Sequence, residues 1–127
     1  MTEVIINERD VEWMTISAYP GIALKILGID KETKAHAIMV KWNPGVSVTP
    51  HSHPSLEHAY VLEGDWEYEG KVYGPGTYFI FPAGFDHGPF KSSKKGLITL
   101  SILQGLSGLE ESVPEFKQRF ERLGITI

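Results

Sequence analysis

The sequence has 127 residues, of which 42% are hydrophobic, 11% aromatic and 22% charged, and this composition indicates one compact domain with a single hydrophobic core. Its formal net charge is −4 and its only basic cluster is residues 91–95, so an extended phosphate-binding surface for nucleic acid is excluded. Because the chain contains no cysteine, disulfide bonds, thiolate catalysis and cysteine-ligated metal sites are excluded as well.

Short runs of β-branched and aromatic residues follow one another from about residue 11 to residue 104. Pairs of proline and glycine separate them, as at Pro20-Gly21 and Pro44-Gly45, and turn signals at this frequency predict many short strands. We therefore expect an all-β sandwich or barrel rather than a parallel α/β sheet. Residues 91–95 are expected to form a solvated loop. The predicted strands are residues 11–17, 22–28, 35–42, 57–63, 65–73, 78–81 and 97–103.

Only the C-terminal segment has the pattern of a helix. Ser112 and Glu115 form an S-x-x-E capping box, Pro114 falls in the first turn, and Gly124 follows the last apolar residue of the pattern. These signals predict a helix over about residues 113–123. Its apolar face is expected to pack against the barrel and consists of Phe116, Phe120 and Leu123.

Neither a secretory signal nor a membrane-spanning helix is expected. Residues 1–10 mix acids with isolated apolar residues, without the basic region and apolar run of a signal peptide. No apolar run approaches the roughly 18 residues that a spanning helix needs. We therefore expect a cytoplasmic protein that forms one domain over residues 1–127, with no membrane or nucleic-acid partner.

Three of the five histidines belong to an ordered, two-part pattern. Its first part consists of Gly45, His51, His53, Glu57 and Gly64. Its second part consists of Gly76, Pro82, Gly84 and His87.

This pattern has a direct physical interpretation as a metal site. Because residues two apart on a strand share a face, His51 and His53 project to the same side, about 6 to 7 Å apart at the backbone. Glu57 follows a turn and can return its carboxylate to the same place, while His87 comes from a separate strand. Three imidazoles and one carboxylate suit one divalent zinc, iron, nickel, cobalt or manganese ion, and the ligand set does not choose among them.

The two remaining histidines are not expected to be ligands. His58 follows Glu57 directly, so on a strand it faces away from the ligand side and is expected to be exposed or to contact a second copy. His36 begins a predicted strand with no patterned partner and would at most line the barrel mouth.

The alternation of side chains along a strand also predicts the wall of the site. If Glu57 points inward, Ala59 and Val61 do too, whereas Tyr60 and Leu62 lie on the other side. The cavity beside the metal is therefore expected to be mostly apolar. The other candidates for its lining are Trp13, Trp42, Trp66, Phe85 and Phe90, of which Phe85 and Phe90 flank His87.

The two-part pattern resembles the signature of the cupin superfamily and matches it at every position through His87, although Lys91 stands where an Asn usually closes the second part. Over about residues 11–103 the sequence is similar to the cupin subgroup that contains the zinc-binding domain of ChrR-type anti-sigma factors and the acetylacetone-cleaving dioxygenases. Residues 61–68, with Trp66 and Tyr68 after Glu63-Gly64, resemble the diketone and dihydroxyacetophenone dioxygenases.

The resemblance implies a double-stranded β-helix, or jelly-roll barrel, with a divalent metal inside and a short helix after it. Carried over by position, His51, His53 and His87 match the common histidine ligands and Glu57 matches the glutamate of metal-binding cupins. The acetylacetone-cleaving enzymes bind iron through three histidines and no glutamate, so Glu57 is a candidate modulator of the metal. No other catalytic residue is identified.

Two main functions follow from the resemblance. The first is a non-heme, metal-dependent dioxygenase that acts on a small ketone, diketone or aromatic substrate. The second is a non-catalytic zinc- or ligand-binding sensory module of the ChrR type. Only a short helix lies outside the barrel, so a complete anti-sigma factor is not expected. An isomerase or decarboxylase is a third possibility.

A homodimer is also expected, as in many small cupins. An open β-sandwich leaves strand edges that must be covered. The apolar segment at residues 4–6 is a natural strand to exchange across a two-fold axis.

Overall fold

The computed structural model describes residues 3–125. A short 3-10 turn at Glu8–Asp10 precedes the strands. Within the described residues the strands are β1 Met14–Thr15, β2 Ile22–Ile29, β3 His36–Trp42, β4 Ser47–Val48, β5 Glu57–Tyr68, β6 Lys71–Tyr73, β7 Tyr78–Phe81 and β8 Phe90–Leu103. Two helices follow, α1 Leu109–Ser112 and α2 Pro114–Arg122.

All strand pairs are antiparallel. The main path runs β1-β2-β3-β8-β5-β6, with β4 added to β8 and β7 added to β5. The long strands β5 and β8 pair with each other over most of their length and form the centre of the sheet. This arrangement confirms the predicted all-β fold followed by a short helical segment.

Side chains alternate between the core and the outer surface along β5. Glu57, Ala59 and Val61 are buried, whereas Tyr60 and Leu62 are 42% and 37% exposed. Two bulges interrupt the pairing of this strand with β8. At the second bulge Gly64 has φ 75°, and a Cβ there would lie 2.0 Å from the carbonyl oxygen of Gly96, so only glycine fits.

The expected loop at residues 91–95 is instead part of β8. Phe90 and Ser92 are buried, while Lys91 between them is exposed, as in any half-buried strand. Ser92 is held inside because its hydroxyl donates to the backbone carbonyl of Asn43. The polar composition of this segment concealed its two-residue alternation.

The predicted capping box at Ser112 and Glu115 does not form. Val113 is the N-cap of α2, and Ser112 belongs to the preceding helix α1. The Glu115 carboxylate instead accepts hydrogen bonds from the backbone N–H and the hydroxyl of Ser17. On the apolar face of α2, Phe116 and Phe120 are fully buried, but Leu123 is 44% exposed.

No helix among residues 3–125 is both long enough and apolar enough to cross a membrane.

Candidate metal centre

A backbone bridge brings two of the predicted ligands together. His51 and His87 pair as isolated antiparallel residues, each donating its N–H to the carbonyl of the other, at 3.0 and 2.8 Å. The carbonyl of His53 accepts the N–H of Gly84 from the turn before His87. Glu57 is the first residue of β5. The backbone therefore places all four side chains at one end of the barrel.

The donor atoms of the four side chains converge. Nε2 of His51 lies 3.1 Å from Nε2 of His87. Oε1 of Glu57 lies 3.3 Å from Nε2 of His53 and 3.9 Å from Nε2 of His87. One ring nitrogen from each of the three histidines lies within 4.8 Å of the other two.

These separations fit ligands of one metal ion. With metal–nitrogen bonds of about 2.1 Å, neighbouring donors are about 3.0 Å apart in an octahedron and about 3.4 Å apart in a tetrahedron. The His51–His87 and His53–Glu57 separations fall in this range. The donor set of nitrogen and oxygen suits zinc, iron, nickel, cobalt and manganese.

Contacts on the far side of two imidazoles direct Nε2 toward the centre. Nδ1 of His51 lies 3.0 Å from the carbonyl of Thr49, and Nδ1 of His53 lies 2.7 Å from the carbonyl of Ser107. Because a carbonyl only accepts, Nδ1 carries the proton in both rings, and Nε2 of the neutral ring is free to bind a metal. Nδ1 of His87 is buried and has no hydrogen-bond partner among residues 3–125.

The electrostatics of the site favour the metal-binding protonation states of His87 and Glu57, whereas at His53 they favour the protonated ring, whose proton a metal ion would displace. Burial and the neighbouring His51 lower the pKa of His87 to about 4, so its imidazole is neutral near pH 7. Burial opposes the charge on Glu57, but the hydrogen bond and the positive charge of His53 outweigh it and the pKa of Glu57 is lowered. Burial likewise opposes the charge on His53, but Glu57 outweighs it and the pKa of His53 is raised.

A cavity of about 110 Å³ adjoins the four donors. Within the described chain no Lys or Arg side chain lines it, and its polar lining beyond the donors consists of hydroxyl groups and the indoles of two tryptophans. It is lined by Ile16, Tyr19, Ile22, Leu24, Ile38, Val40, Trp42, Val48, Trp66, Phe81, Phe90, Thr99, Ser101, Leu103 and Leu109 together with His51, His53, Glu57 and His87.

The sequence matches the family model described as the ChrR cupin-like domain over residues 1–106. The chain belongs to this family. A comparison with curated proteins found no significant match. The family match ends one residue before Ser107, whose carbonyl accepts the hydrogen bond of His53.

Solved structures similar to this ChrR-like cupin include an RmlC-like cupin from Ralstonia eutropha, with 21% identity and a TM-score of 0.74 over 99% of this chain and 92% of that one. An acetylacetone dioxygenase from Acinetobacter johnsonii is 18% identical, with a TM-score of 0.64 over 83% of this chain and 74% of that one. Rhodobacter sphaeroides SigE in complex with the anti-sigma ChrR gives 28% identity and a TM-score of 0.63 over 76% of this chain. This ChrR-like cupin spans 51% of the matched chain in that complex.

The expected pocket residues divide into three groups. Trp42 and Phe90 line the cavity. Ala59 and Val61 are fully buried on the inner face of β5, but they are not among the lining residues. Phe85 is 51% exposed because it lies in the turn that its N–H closes on the carbonyl of Pro82, so its assignment to the pocket wall is corrected.

His36 and His58, the two histidines that are not expected to be ligands, lie outside the four-donor cluster. His58 stacks on Tyr78 and approaches the amide of Gln104. His36 is only 3% exposed, and its ring packs against Phe116 and Phe120 of α2. Burial lowers the pKa of His36.

The sequence analysis missed Ser107 and Glu110, which lie behind His53. Glu110 is 1% exposed, and Oε1 lies 3.7 Å from Nε2 of His36. The spacing of Ser107 and Glu110 is also S-x-x-E, and the two side chains both bond to the backbone of this turn, although the N-cap of α1 is Gly108. The Ser107 hydroxyl accepts the N–H of Leu109, and the Glu110 carboxylate accepts the N–H of Ser107. The capping-box signal was therefore present five residues before the pair that was chosen.

Proposed function

We propose that this chain binds one divalent metal ion through His51, His53, Glu57 and His87. We further propose that it uses the ion to oxidise a small, chelating ketone with O₂. The observation that carries the proposal is the convergence of four nitrogen and oxygen donors beside an apolar cavity. A bound Fe(II) ion supplies Lewis acidity and coordination positions for oxygen atoms of the substrate and O₂.

The chain's own residues would balance the charge of the metal ion and exclude water from the site. The carboxylate of Glu57 offsets part of the charge of the cation, while the three imidazoles stay neutral as ligands. Aromatic rings exclude water, since Phe81 lies 4.3 Å from the ring of His87 and Phe90 lies 5.6 Å from it. Exclusion of water strengthens electrostatic interactions inside the site and protects reactive species.

The cavity limits the substrate by charge and size. Because no Lys or Arg side chain lines it among the described residues, it favours a neutral or enolisable molecule over a sugar acid or a phosphate ester. An apolar cavity of about 150 Å³ holds benzene. The 110 Å³ here therefore suits a small aliphatic diketone better than a dihydroxyacetophenone. In the proposed dioxygenase reaction one carbon–carbon bond of the diketone breaks, both atoms of O₂ enter the products and no external reductant is needed.

The alternative is a non-catalytic zinc- or ligand-binding module. It is supported by the match to the ChrR cupin-like family and by the 28% identity to the chain of the SigE–ChrR complex. A sigma-factor partner is known for that relative, and for this chain it is an outcome to be tested.

Elemental analysis of protein purified without added metal is the first test. Iron, together with O₂ uptake when the iron-loaded protein receives a small β-diketone, supports the enzyme. Tightly held zinc and no O₂ uptake with any β-diketone or hydroxyacetophenone supports the binding module. Less than a tenth of an equivalent of every divalent metal, even after incubation with each, would contradict both.

We also propose that the chain forms a homodimer through the outer face of its sheet. On this face Tyr60 pairs with Tyr78 and Leu100, and these apolar side chains continue in Ile80 and Ile102. Tyr78 is 55% exposed and Ile80 is 51% exposed. His58 lies between Ile80 and Ile102 on this face, and exposed apolar groups rimmed by polar residues mark interaction sites.

The occupant proposed for that face is a second copy of the chain, because the chain itself also exposes an apolar N-terminal segment. Val4, Ile5 and Ile6 are 57%, 89% and 49% exposed. Glu8 anchors the end of this segment by a 2.9 Å ion pair with Lys25 on the same side of the sheet. Exchange of residues 4–6 between two copies would cover both the apolar sheet face and the apolar N-terminal segment.

A cytoplasmic location stays a prediction.

A further inference from the structure

A buried carboxylate lies behind the candidate metal centre without touching it. Glu110 is 1% exposed, and its two oxygens accept four contacts from the turn before α1. Oε1 accepts the N–H of Ser107 at 2.8 Å and its hydroxyl at 2.9 Å. Oε2 accepts the N–H of Gly108 at 2.8 Å. Through the N–H of Gly108 the carboxylate therefore fixes the peptide group that contains the Ser107 carbonyl, and through the N–H of Ser107 it fixes the preceding one.

That carbonyl is the group that orients His53. Nδ1 of His53 donates to it over 2.7 Å, the shortest of the contacts on the outer side of the histidine cluster. The residues are 54 positions apart, so the loop must be held in place for the contact to exist. Ser55 supports it from the other side by donating its hydroxyl to the carbonyl of Leu106.

Burial of a carboxylate is costly, and helix capping alone does not account for it here. Placing a charge in a low-dielectric interior is strongly unfavourable unless donors surround it. A four-residue helix gains only a small stabilisation from a cap. An exposed Ser or Asp would cap α1 as well. The position of Glu110 is explained if the rigidity that it gives to the Ser107 carbonyl matters for the ligand in front of it.

We propose that Glu110 is a positioning residue of the metal centre, acting on His53 through the carbonyl of Ser107. The proposal rests on the proposed metal site. Ser107 and Glu110 both lie beyond residue 106, where the family match ends. Without it the imidazole of His53 loses its hydrogen-bonded anchor and rotates or changes tautomer. Outer partners of ligating histidines act in this way.

The test uses the full chain and two variants of adjacent residues. Glu110→Gln keeps the size of the side chain but replaces one acceptor oxygen with an NH₂ group that cannot accept the N–H of Gly108. Glu111→Gln makes the same change at an exposed neighbour on α1 and is the matched control. Glu110→Ala removes both acceptors, and Glu110→Gln remains informative if Glu110→Ala does not fold.

The first measurement needs no metal. In the metal-free protein the Nδ1–H proton of His53, assigned by its loss in His53→Ala, is expected as a protected, hydrogen-bonded NMR signal. It should broaden or exchange with water in Glu110→Gln and persist in Glu111→Gln. An unchanged signal in folded Glu110→Gln overturns the proposal. If the wild type binds no metal but this signal responds to Glu110, the proposed function fails and the positioning role stands.

The second measurement is the dissociation constant of Co²⁺, with the visible spectrum of the bound ion. Loss of an outer partner of a ligand typically weakens metal binding about 10- to 100-fold. Because Glu110 acts through one intervening residue, we expect about a 10-fold loss in Glu110→Gln, a larger loss in Glu110→Ala and a shifted Co²⁺ spectrum in both. Reduced stability with an unchanged dissociation constant and spectrum would mean that Glu110 only caps the helix.

Discussion

Nε2 of His87 lies 3.1 Å from Nε2 of His51, although the two residues are 36 positions apart in the chain. The backbone bridge between them holds this approach, and no side-chain rotation is needed to bring the rings together. Nδ1 of His51 donates to a carbonyl, so the neutral ring presents a lone pair at Nε2. Nε2 of neutral His87 can donate a hydrogen bond to this lone pair in the metal-free protein. A bound metal ion would take the place of that proton between the two nitrogens.

Removal of His87 is expected to abolish stoichiometric metal binding. His87→Ala deletes one of the four proposed ligands, so the dissociation constant should rise by more than the roughly 100-fold that follows loss of an outer partner. Titration of the metal-free protein with Zn²⁺ or Co²⁺ measures the change. His58→Ala removes a histidine outside the cluster and should keep wild-type binding. A full equivalent of metal in His51→Ala, His87→Ala would show that the assigned site is wrong.

Glu57 is expected to strengthen metal binding and, at the same time, to occupy a coordination position that a substrate could use. Glu57→Gln keeps the shape of the side chain and removes the charge that offsets the cation, so metal affinity should fall by at least about 10-fold. If Glu57 occupies a position that a chelating substrate needs, O₂ uptake per bound iron with a small β-diketone should rise in Glu57→Ala. Oxygen-electrode assays normalised to iron content test this. Equal affinity in Glu57→Gln and the wild type would remove Glu57 from the ligand set.

The sequence predicted the ligand cluster because that pattern depends on local geometry. The two-residue spacing of His51 and His53, and the inward parity of Glu57 with Ala59 and Val61, follow from the pleat of a strand. Turns rich in glycine and proline then limit where His87 can go. The same parity predicted which side of β5 would be buried.

The parts that could not be predicted depend on contacts between distant residues. Two S-x-x-E patterns lie five residues apart, and local propensity does not choose between them. The pair of Ser107 and Glu110 forms, whereas Glu115 contacts Ser17, which is 98 positions away. Likewise, the burial of Ser92 depends on the carbonyl of Asn43. Phe85 flanks His87 in the sequence, but the turn leaves it exposed.

The metal-free protein is expected to lose stability on acidification between pH 6.5 and about 4. The unfolded chain takes up a proton at His87 as the pH falls through 6.5, whereas burial keeps the folded pKa at about 4. The unfolded state therefore binds more protons in this window and becomes favoured. The lowered pKa of His36 acts in the same direction. His53 acts oppositely, since the stability from its raised pKa is present below 6.5 and is lost as the pH rises through that pKa.

A variant separates the contribution of His87 to the acid sensitivity from the contributions of His36 and His53. His87→Leu removes the buried imidazole and keeps an apolar side chain at the position. Urea unfolding in EDTA at several pH values between 4 and 7.5 should give a shallower fall in the free energy of unfolding for His87→Leu. Parallel curves for the two proteins would show that His87 does not cause the acid sensitivity.

The last prediction concerns the two copies of the chain. Ile5 is 89% exposed and lies in the segment proposed to cover the outer sheet face of the partner. Ile5→Asp places a charge in that contact, so it should shift the protein from dimer to monomer at micromolar concentration in light scattering or sedimentation. Val72→Asp makes a similar change at a residue that is 61% exposed but pairs with Glu67, seven residues along β5 from Tyr60, and should leave the dimer intact. A wild type that is monomeric at micromolar concentration rejects the dimer. A dimer that survives deletion of residues 1–7 rejects exchange of the N-terminal segment and leaves the sheet face to be tested by Ile80→Asp.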